Sequence, residues 1–327
     1  MTLKRWLKRF LIQRLRARGH VLIPEWHLPE VPLEEHLRAL IARYDVDVVL
    51  DVGANFGQFH DTVRNEVGFA GPIVSFEPVS GFRAQLESRQ HADRAWDVEP
   101  YALGSVHQES AVIHVMESPG LSSLKDRDFG AMQSLLPAPD RVGVKADETI
   151  EVRRLDDVAP SHPVLGQAKR ALLKTDTQGF DLEVLRGSRA FLRQTIAIVI
   201  ELSVLPLYAD APTYQDVIAE LHALGFDLSG MFPVTLDPHL RVIEFDGMFV
   251  RRPAADSVRP SDTAGSASSR SPRSASHWWW SAWFTCSWRA GCCPSAAART
   301  ATTITCGWTG TAPNCWWSKA RAGARGP

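Results

Sequence analysis

The segment Val48-Val49-Leu50-Asp51-Val52-Gly53-Ala54-Asn55-Phe56-Gly57-Gln58-Phe59 constrains what this chain can fold into more than any other stretch. A β-branched apolar run ends at a carboxylate, glycines follow at 53 and 57, and an amphipathic stretch begins. This is a buried strand, a tight turn and a helix start, the arrangement that brings a backbone close to a nucleotide-like ligand. Glycine suits the turn because it tolerates positive φ and has no Cβ to hold a ligand away. The spacing is G-x-x-x-G, not the G-x-G-x-x-G of dinucleotide binders. Without a following Lys-Ser/Thr it is not a P-loop either. An ordinary strand-to-helix turn of an α/β protein is the simpler alternative.

A carboxylate just before the first glycine suits a ligand with a cationic end better than a pyrophosphate. S-adenosylmethionine, with its ammonium and sulfonium, is such a ligand. A second element supports it. Pro72-Ile73-Val74-Ser75-Phe76-Glu77-Pro78 reads as the next buried strand, and Glu77 lies 26 residues after Asp51, one strand-helix-strand unit. In nucleotide-binding α/β units an acid at the end of the second strand accepts hydrogen bonds from ribose hydroxyls. Pro78 then forces the chain out of the strand.

Strands are expected at 46–52, 72–77, 96–102, 110–115, 149–155, 170–176, 196–202, 226–230 and 243–250, with helices at 33–44, 56–67, 80–90, 180–188 and 213–224. Their alternation implies a mostly parallel sheet with an antiparallel edge hairpin from the last two strands, and a ligand outside the carboxyl ends. Asp176 and Glu201 each end an apolar strand there. Asp176 is the first candidate for a base or acceptor-orienting group, and helix N-cap is its bland alternative. The two acids together could also hold a divalent metal, a reading not favoured because spacing fixes no further ligands. His60 reads as a packed or solvated helix histidine and Asp156-Asp157 as capping residues. The stretch 116–148 reads as a long loop able to cover an acceptor, or equally as a disordered insertion.

Composition divides the chain. All five cysteines lie at or beyond 286, and eight of the eleven tryptophans at or beyond 278. The earlier part therefore has no disulfide framework and no thiol chemistry, which suits a reducing cytoplasm. Residues 1–20 carry seven basic groups and no acids, on a helical period that places Leu3, Trp6, Leu7, Phe10, Leu11 and Leu15 on one stripe. Such a helix fits peripheral contact with an anionic inner-membrane surface, or equally a cap on the domain. Residues 21–253 hold 21 basic and 35 acidic groups, which argues against nucleic acid as the partner. No apolar run reaches the roughly 18 residues of a membrane span. The expected organisation is a lead-in over 1–44, a domain over 45–252, and a low-complexity tail over 253–327. The tail's abrupt change of character suggests a disordered or frameshifted segment.

The motif order resembles the FkbM family of S-adenosylmethionine-dependent methyltransferases. The matching stretches are Asp51-Val-Gly-Ala-Asn-Phe-Gly57, Phe76-Glu77-Pro78, Ala102-Leu103-Gly104, Arg154-Leu155-Asp156-Asp157, Lys174-Thr-Asp176-Thr-Gln178-Gly179-Phe180-Asp181-Leu-Glu183-Val-Leu185-Arg-Gly187, and Glu201 with Leu207-Tyr208. The resemblance covers roughly 45–252 and implies a Rossmann-like class I methyltransferase sandwich. It implies that Asp51, Gly53, Asn55 and Gly57 shape the methionine end of the cofactor site, that Glu77 holds the ribose, and that Tyr101, Ala102 and Leu103 border the adenine. Asp176 and Glu201 are the catalytic candidates. The implied activity is O-methylation of a hydroxyl on a sugar, polysaccharide precursor or secondary metabolite, so the expected partner is a small-molecule or glycan acceptor. A non-catalytic cofactor-binding or membrane-associated scaffold, and a nicotinamide-dependent oxidoreductase, are the alternatives.

Overall fold

The computed structural model describes residues 23–136 and 143–253, with short pieces at 14–15, 306–307 and 314–315. The chain divides into two units, Met1–Arg259 and Pro260–Pro327. In the second, the described residues are a two-residue antiparallel ladder, Cys306–Gly307 against Asn314–Cys315. The expected basic helix over 1–20, apart from a helical turn at 14–15, and the low-complexity tail lie outside the described residues.

The first unit is built on one large sheet. Its elements in chain order are α1 (Val31–Tyr44), β1 (Val48–Val52), α2 (Gln58–Asp61, continued by a π-helical stretch Thr62–Val67), β2 (Ile73–Phe76), α3 (Ser80–Gln90), β3 (Trp96–Glu99), β4 (Ala102–Leu103), β5 (Gln108–Met116), α4 (Phe129–Leu135), β6 (Val144–Arg153), β7 (Ala171–Thr175), α5 (Asp181–Arg186), β8 (Thr195–Ser203), α6 (Tyr214–Ala223), β9 (Phe226–Leu236) and β10 (Val242–Arg251). The sheet order is β3-β2-β1-β7-β8-β10-β9. The first five strands in this order run parallel, and β10 is antiparallel to both β8 and β9. This is the expected parallel sheet with an antiparallel edge.

The central strands are buried on both faces, because helices cover both sides of a parallel sheet. Leu50, Val74, Leu173 and Ile198 face one cluster with Leu185 and Leu221 of α5 and α6. Val49, Ile73, Leu172 and Ala197 face another with Leu37 and Leu40 of α1. Helix α1 thus shares the core of the sheet, and burying each of those leucines contributes about 2 kcal/mol.

Three differences from the sequence reading have local causes. The strand expected over 96–102 breaks at Pro100, which has no N–H for a ladder, so β3 ends at Glu99 and β4 joins a second sheet. That sheet, β4-β6-β5, was not foreseen. Strand β6 begins at Val144 rather than 149 because its pairing with β5 runs back to Val144 opposite Met116, through mostly exposed residues that carry no apolar alternation. The expected loop over 116–148 includes a short turn at Pro119–Leu121 and helix α4.

The second sheet is docked by a close backbone approach. A Cβ at Gly187 would lie 1.9 Å from the carbonyl oxygen of Gly104. Replacing Gly187 with alanine therefore forces β4 and the end of α5 apart, and is expected to cost roughly 2 kcal/mol, as overpacking does. Urea unfolding checks this; an unchanged midpoint would mean that the two sheets separate freely.

Candidate active site

The order of the sheet reverses at β1, whose two neighbours are β2 and β7. A crevice must open above such a switch point, because the connections leave in opposite directions. A cavity of about 510 Å³ lies there, walled by the loops after β1, β2 and β7, by β4, and by residues from the other end of the sheet.

The strand register sets the chemistry of its floor. Asp51 is paired with Ser75 of β2 and Lys174 of β7, and Lys174 with Val199 of β8, so these side chains share one face. Glu201 lies two residues beyond Val199, directly opposite Asp246 of β10. Asp51 is fully buried. One of its oxygens accepts a hydrogen bond from Ser75 Oγ at 3.3 Å, and the other lies 3.3 Å from Lys174 Nζ. The same ammonium donates to the Gly53 carbonyl at 3.3 Å and lies 3.5 Å from Asp176 Oδ2. Burial would lower the pKa of Lys174, but Asp51, Asp176 and Asp246 outweigh it and hold the ammonium above its ordinary range. The result is a charged pin joining β1 to β7.

Gly53 has φ +76°, and a Cβ there would lie 2.1 Å from the Asp176 carbonyl oxygen. Its glycine is required by the β7 loop, beyond any need of a ligand. Asn55 also takes a left-handed conformation. Its backbone N–H donates to Glu77 Oε2 at 2.7 Å, while its own Oδ1 is buried without a hydrogen-bond partner. Glu77 Oε1 accepts from the Val79 N–H at 2.8 Å. Burial pushes Glu77 up to about 7, against those two backbone donors.

Asp176 is 36 % exposed and lines the cavity. The N-cap of α5 is Phe180, without a side-chain cap bond, so Asp176 does not serve as the cap. That local work falls to Asp181, which accepts from Thr175 Oγ1, Thr177 N and Thr177 Oγ1. Instead, Asp176 Oδ1 accepts from the Gln178 amide at 3.0 Å, and the same amide donates to Glu201 Oε2. Gln178 is held with φ +52°. Tyr208 Oη lies 2.8 Å from its Oε1, and Ser123 Oγ donates to its carbonyl at 2.7 Å. Burial first, then Asp176, raise Glu201 well above its usual range. The same two causes, in the same order, bring Asp246 to about 7, and Glu244 reaches about 7 likewise.

The structure thus brings Gly53, Asn55, Glu77, Ala102, Leu103 and Asp176 to one cavity wall. Asp51 lies beneath that wall, and Glu201 stands behind Gln178. Gly57, with φ +81°, packs toward Leu86, Arg89 and Trp96 instead. Tyr101 joins the core cluster. His60 is stacked on Trp96 at 3.7 Å and bonded to Asp93, a packed histidine. Asp156 accepts from the N–H groups of Ala190 and Phe191, a capping role. Asp246 was not singled out from the sequence. It reaches the cavity because β10 pairs antiparallel with β8, which sets Asp246 opposite Glu201. Among the described residues, the group of three metal-type ligands with atoms within 4.8 Å of one another is His27, Glu30 and Glu34; Asp176 and Glu201 form no such group.

The sheet order, the antiparallel last pair and a crevice over β1 and β7 define a Rossmann-like class I methyltransferase, the class that uses S-adenosylmethionine. The FkbM methyltransferase domain matches residues 51–228, and the chain belongs to that family. No curated protein matches it. Among solved structures, the chain is similar to an FkbM methyltransferase from Methylobacillus flagellatus KT, at 15 % identity and TM-score 0.36, covering 63 % of this chain and 44 % of that one. It is also similar to Aeropyrum pernix fibrillarin with natively bound S-adenosylmethionine, at 12 % identity and TM-score 0.35, covering 62 % and 66 %. A third likeness is magnesium protoporphyrin IX methyltransferase from Synechocystis PCC 6803 with bound cofactor, at 10 % identity and TM-score 0.36, covering 69 % and 82 %.

Glu77, Glu244 and Asp246 hold their protons more tightly folded than unfolded. Between their ordinary values and about pH 7 the folded state therefore binds the excess protons, and stability falls as pH rises. The ligand-free protein should melt at a lower temperature at pH 8 than at pH 5.5. An equal or higher melting temperature at pH 8 would show that these carboxyls are not buried as described.

Proposed function

We propose that the chain binds S-adenosylmethionine across the crevice and methylates a hydroxyl oxygen of a small-molecule or glycan acceptor. The observation that carries this reading is the charge of the crevice. Asp51, Asp176 and Asp246 share a single ammonium, Lys174, and Glu201 adds a further buried carboxyl beside Asp176. Such an excess of carboxylate favours a ligand bearing cationic centres and disfavours a pyrophosphate. The nicotinamide alternative loses ground for that reason.

The residues present fit the cofactor. Asn55 lines the cavity, and its Oδ1, buried without a partner, is an acceptor that an ammonium donor would satisfy. Glu77 keeps a free lone pair on each oxygen for ribose hydroxyls. Phe82, Ile113, Leu124 and Phe180 offer an apolar slot beside Ala102 and Leu103 for a flat base. When bound, S-adenosylmethionine supplies a sulfonium-activated methyl group, whose C–S bond breaks toward sulfur as the acceptor oxygen forms the new C–O bond.

The chain's own part is positioning and proton handling. Asp176, the first residue after β7, receives the acceptor's hydroxyl proton. Lys174 and the Gln178 amide fix its carboxylate from two sides. Tyr208 and Ser123 hold Gln178 in its left-handed conformation, and with it the amide's direction. Glu201 acts through Gln178 as a positioning group. No metal is required in this scheme, and the acidic surface argues against a nucleic-acid acceptor.

None of the described helices is long and apolar enough to cross a membrane. The reducing cytoplasm, with peripheral contact through 1–20, remains our placement for the protein.

Replacing Asp176 with asparagine keeps the Gln178 contact but removes the base. It should lower kcat for methyl transfer by about 10²-fold or more while leaving cofactor affinity within about threefold. Transfer of labelled methyl to extracted acceptor material reads this directly. Undiminished turnover in the variant would remove Asp176 from the chemistry.

A further inference from the structure

His27, Glu30 and Glu34 follow one another at intervals of three and four residues, across the end of a short turn and the start of α1. The turn, Glu25–His27, buries none of its residues, so apolar packing does little to fasten it. Glu30 stands just ahead of α1, and its side chain makes no cap bond there. Glu34, in the first turn of the helix, is buried. Trp26, Glu30 and Glu34 all line the cavity, yet none of them has a part in the cofactor site or the proton chemistry described above.

His27 stands between the two carboxylates. Its Nε2 lies 3.2 Å from Glu34 and its Nδ1 3.0 Å from Glu30 Oε2. A neutral imidazole carries one N–H and one lone pair. Whichever nitrogen donates, the lone pair of the other is turned toward a carboxylate. Nδ1 is buried and forms no hydrogen bond in spite of the approach of Glu30, a condition that buried polar atoms rarely tolerate. The surroundings are crowded with negative charge as well. Burial raises Glu34 above its ordinary range, His27 opposes the rise, and Glu66 and Glu30 add to it. A cation placed among these groups would satisfy the lone pair and the carboxylates together.

We propose that His27, Glu30 and Glu34 bind a divalent transition cation of the zinc class. One ligand atom from each of the three lies within 4.8 Å of the other two, so a single ion can reach them all. Atoms held at about 2.0–2.1 Å from one zinc stand roughly 3 Å apart, as Nδ1 and Glu30 already do. Two carboxylates balance the two charges of the ion, and water completes its coordination. The imidazole selects such a cation over magnesium and calcium, which prefer oxygen ligands alone. Glu30, with its side chain 61 % exposed, leaves the ion a way in. The bound ion clips the turn to α1 and so fixes Trp26 at the cavity wall. It shares no ligand with the Lys174 cluster and takes no part in methyl transfer.

The test is calorimetric titration of the full chain, stripped with a chelator and with its five cysteines alkylated, using zinc, magnesium and calcium chlorides in turn. Zinc should bind, and His27→Gln and Glu30→Gln should each weaken it by about tenfold or more. Magnesium and calcium should bind at least about a hundredfold more weakly than zinc. Zinc should also raise the melting temperature of the parent, by mass action on the folded state, and should not raise that of Glu30→Gln. That variant alters an exposed side chain and so folds even if His27→Gln does not. The proposal is overturned if the stripped parent binds no zinc, if Glu30→Gln binds it as the parent does, if a folded His27→Gln does so, or if magnesium or calcium binds as tightly. None of these readouts depends on methyl transfer, so their failure leaves that reading untouched.

Discussion

The crevice depends on one ammonium. Lys174 sits inside an otherwise apolar strand, where a lone charge would be expelled or neutralised. It stays charged because Asp51 is buried beside it, with Asp176 and the Gly53 carbonyl completing its contacts. Such a buried pair adds little net stability, but removing either partner leaves the other uncompensated at a cost of roughly 3–5 kcal/mol. What the pair secures is geometry. It ties the glycine loop after β1 to the loop after β7, the two segments that must face each other for a cofactor and an acceptor to meet.

Around that pin the protein accepts strain and electrostatic cost. Gly53, Asn55 and Gln178 all take left-handed backbone conformations at the wall of the same cavity. For Asn55 and Gln178 this costs of order 1 kcal/mol each, and such strain persists only where surrounding contacts impose it. Those contacts are visible: Glu77 on the Asn55 N–H, and Tyr208 with Ser123 on Gln178. The carboxylates in excess of Lys174 are the other cost. Burial and mutual repulsion hold them above their usual range, and a cation bound among them relieves that repulsion. Stability is given up locally so that a cationic cofactor is bound more strongly.

Much of this was legible in the sequence because it is local. The apolar run into Asp51, the glycines at 53 and 57, and the acid ending the second strand announce a strand, a turn and a ligand-facing carboxylate within one chain segment. Asp176 and Glu201 were legible for the same reason, each standing at the end of an apolar run. What the sequence hid is what tertiary pairing creates. The second sheet was hidden because β6 begins with exposed polar residues and Pro100 splits an apparently continuous strand. Asp246 was hidden because its place at the cavity comes from the antiparallel pairing of β10 with β8, which sets it opposite Glu201. Gln178 could be named but not assigned, since its role depends on Tyr208, 30 residues away along the chain. Trp26 carried no periodic signal, as it lies in a turn ahead of the first helix of the domain.

The central claim is that an acidic, Lys174-pinned crevice binds S-adenosylmethionine through the loop after β1 and Glu77. Calorimetric titration of the full chain with S-adenosylmethionine, beside NADH and with a Glu77→Gln variant, tests it most directly. The account predicts affinity on the order of micromolar for S-adenosylmethionine, none for NADH, and a loss of about tenfold or more in the variant. A folded protein that takes up NADH but not S-adenosylmethionine, or a Glu77→Gln variant that binds the cofactor as the parent does, would contradict it.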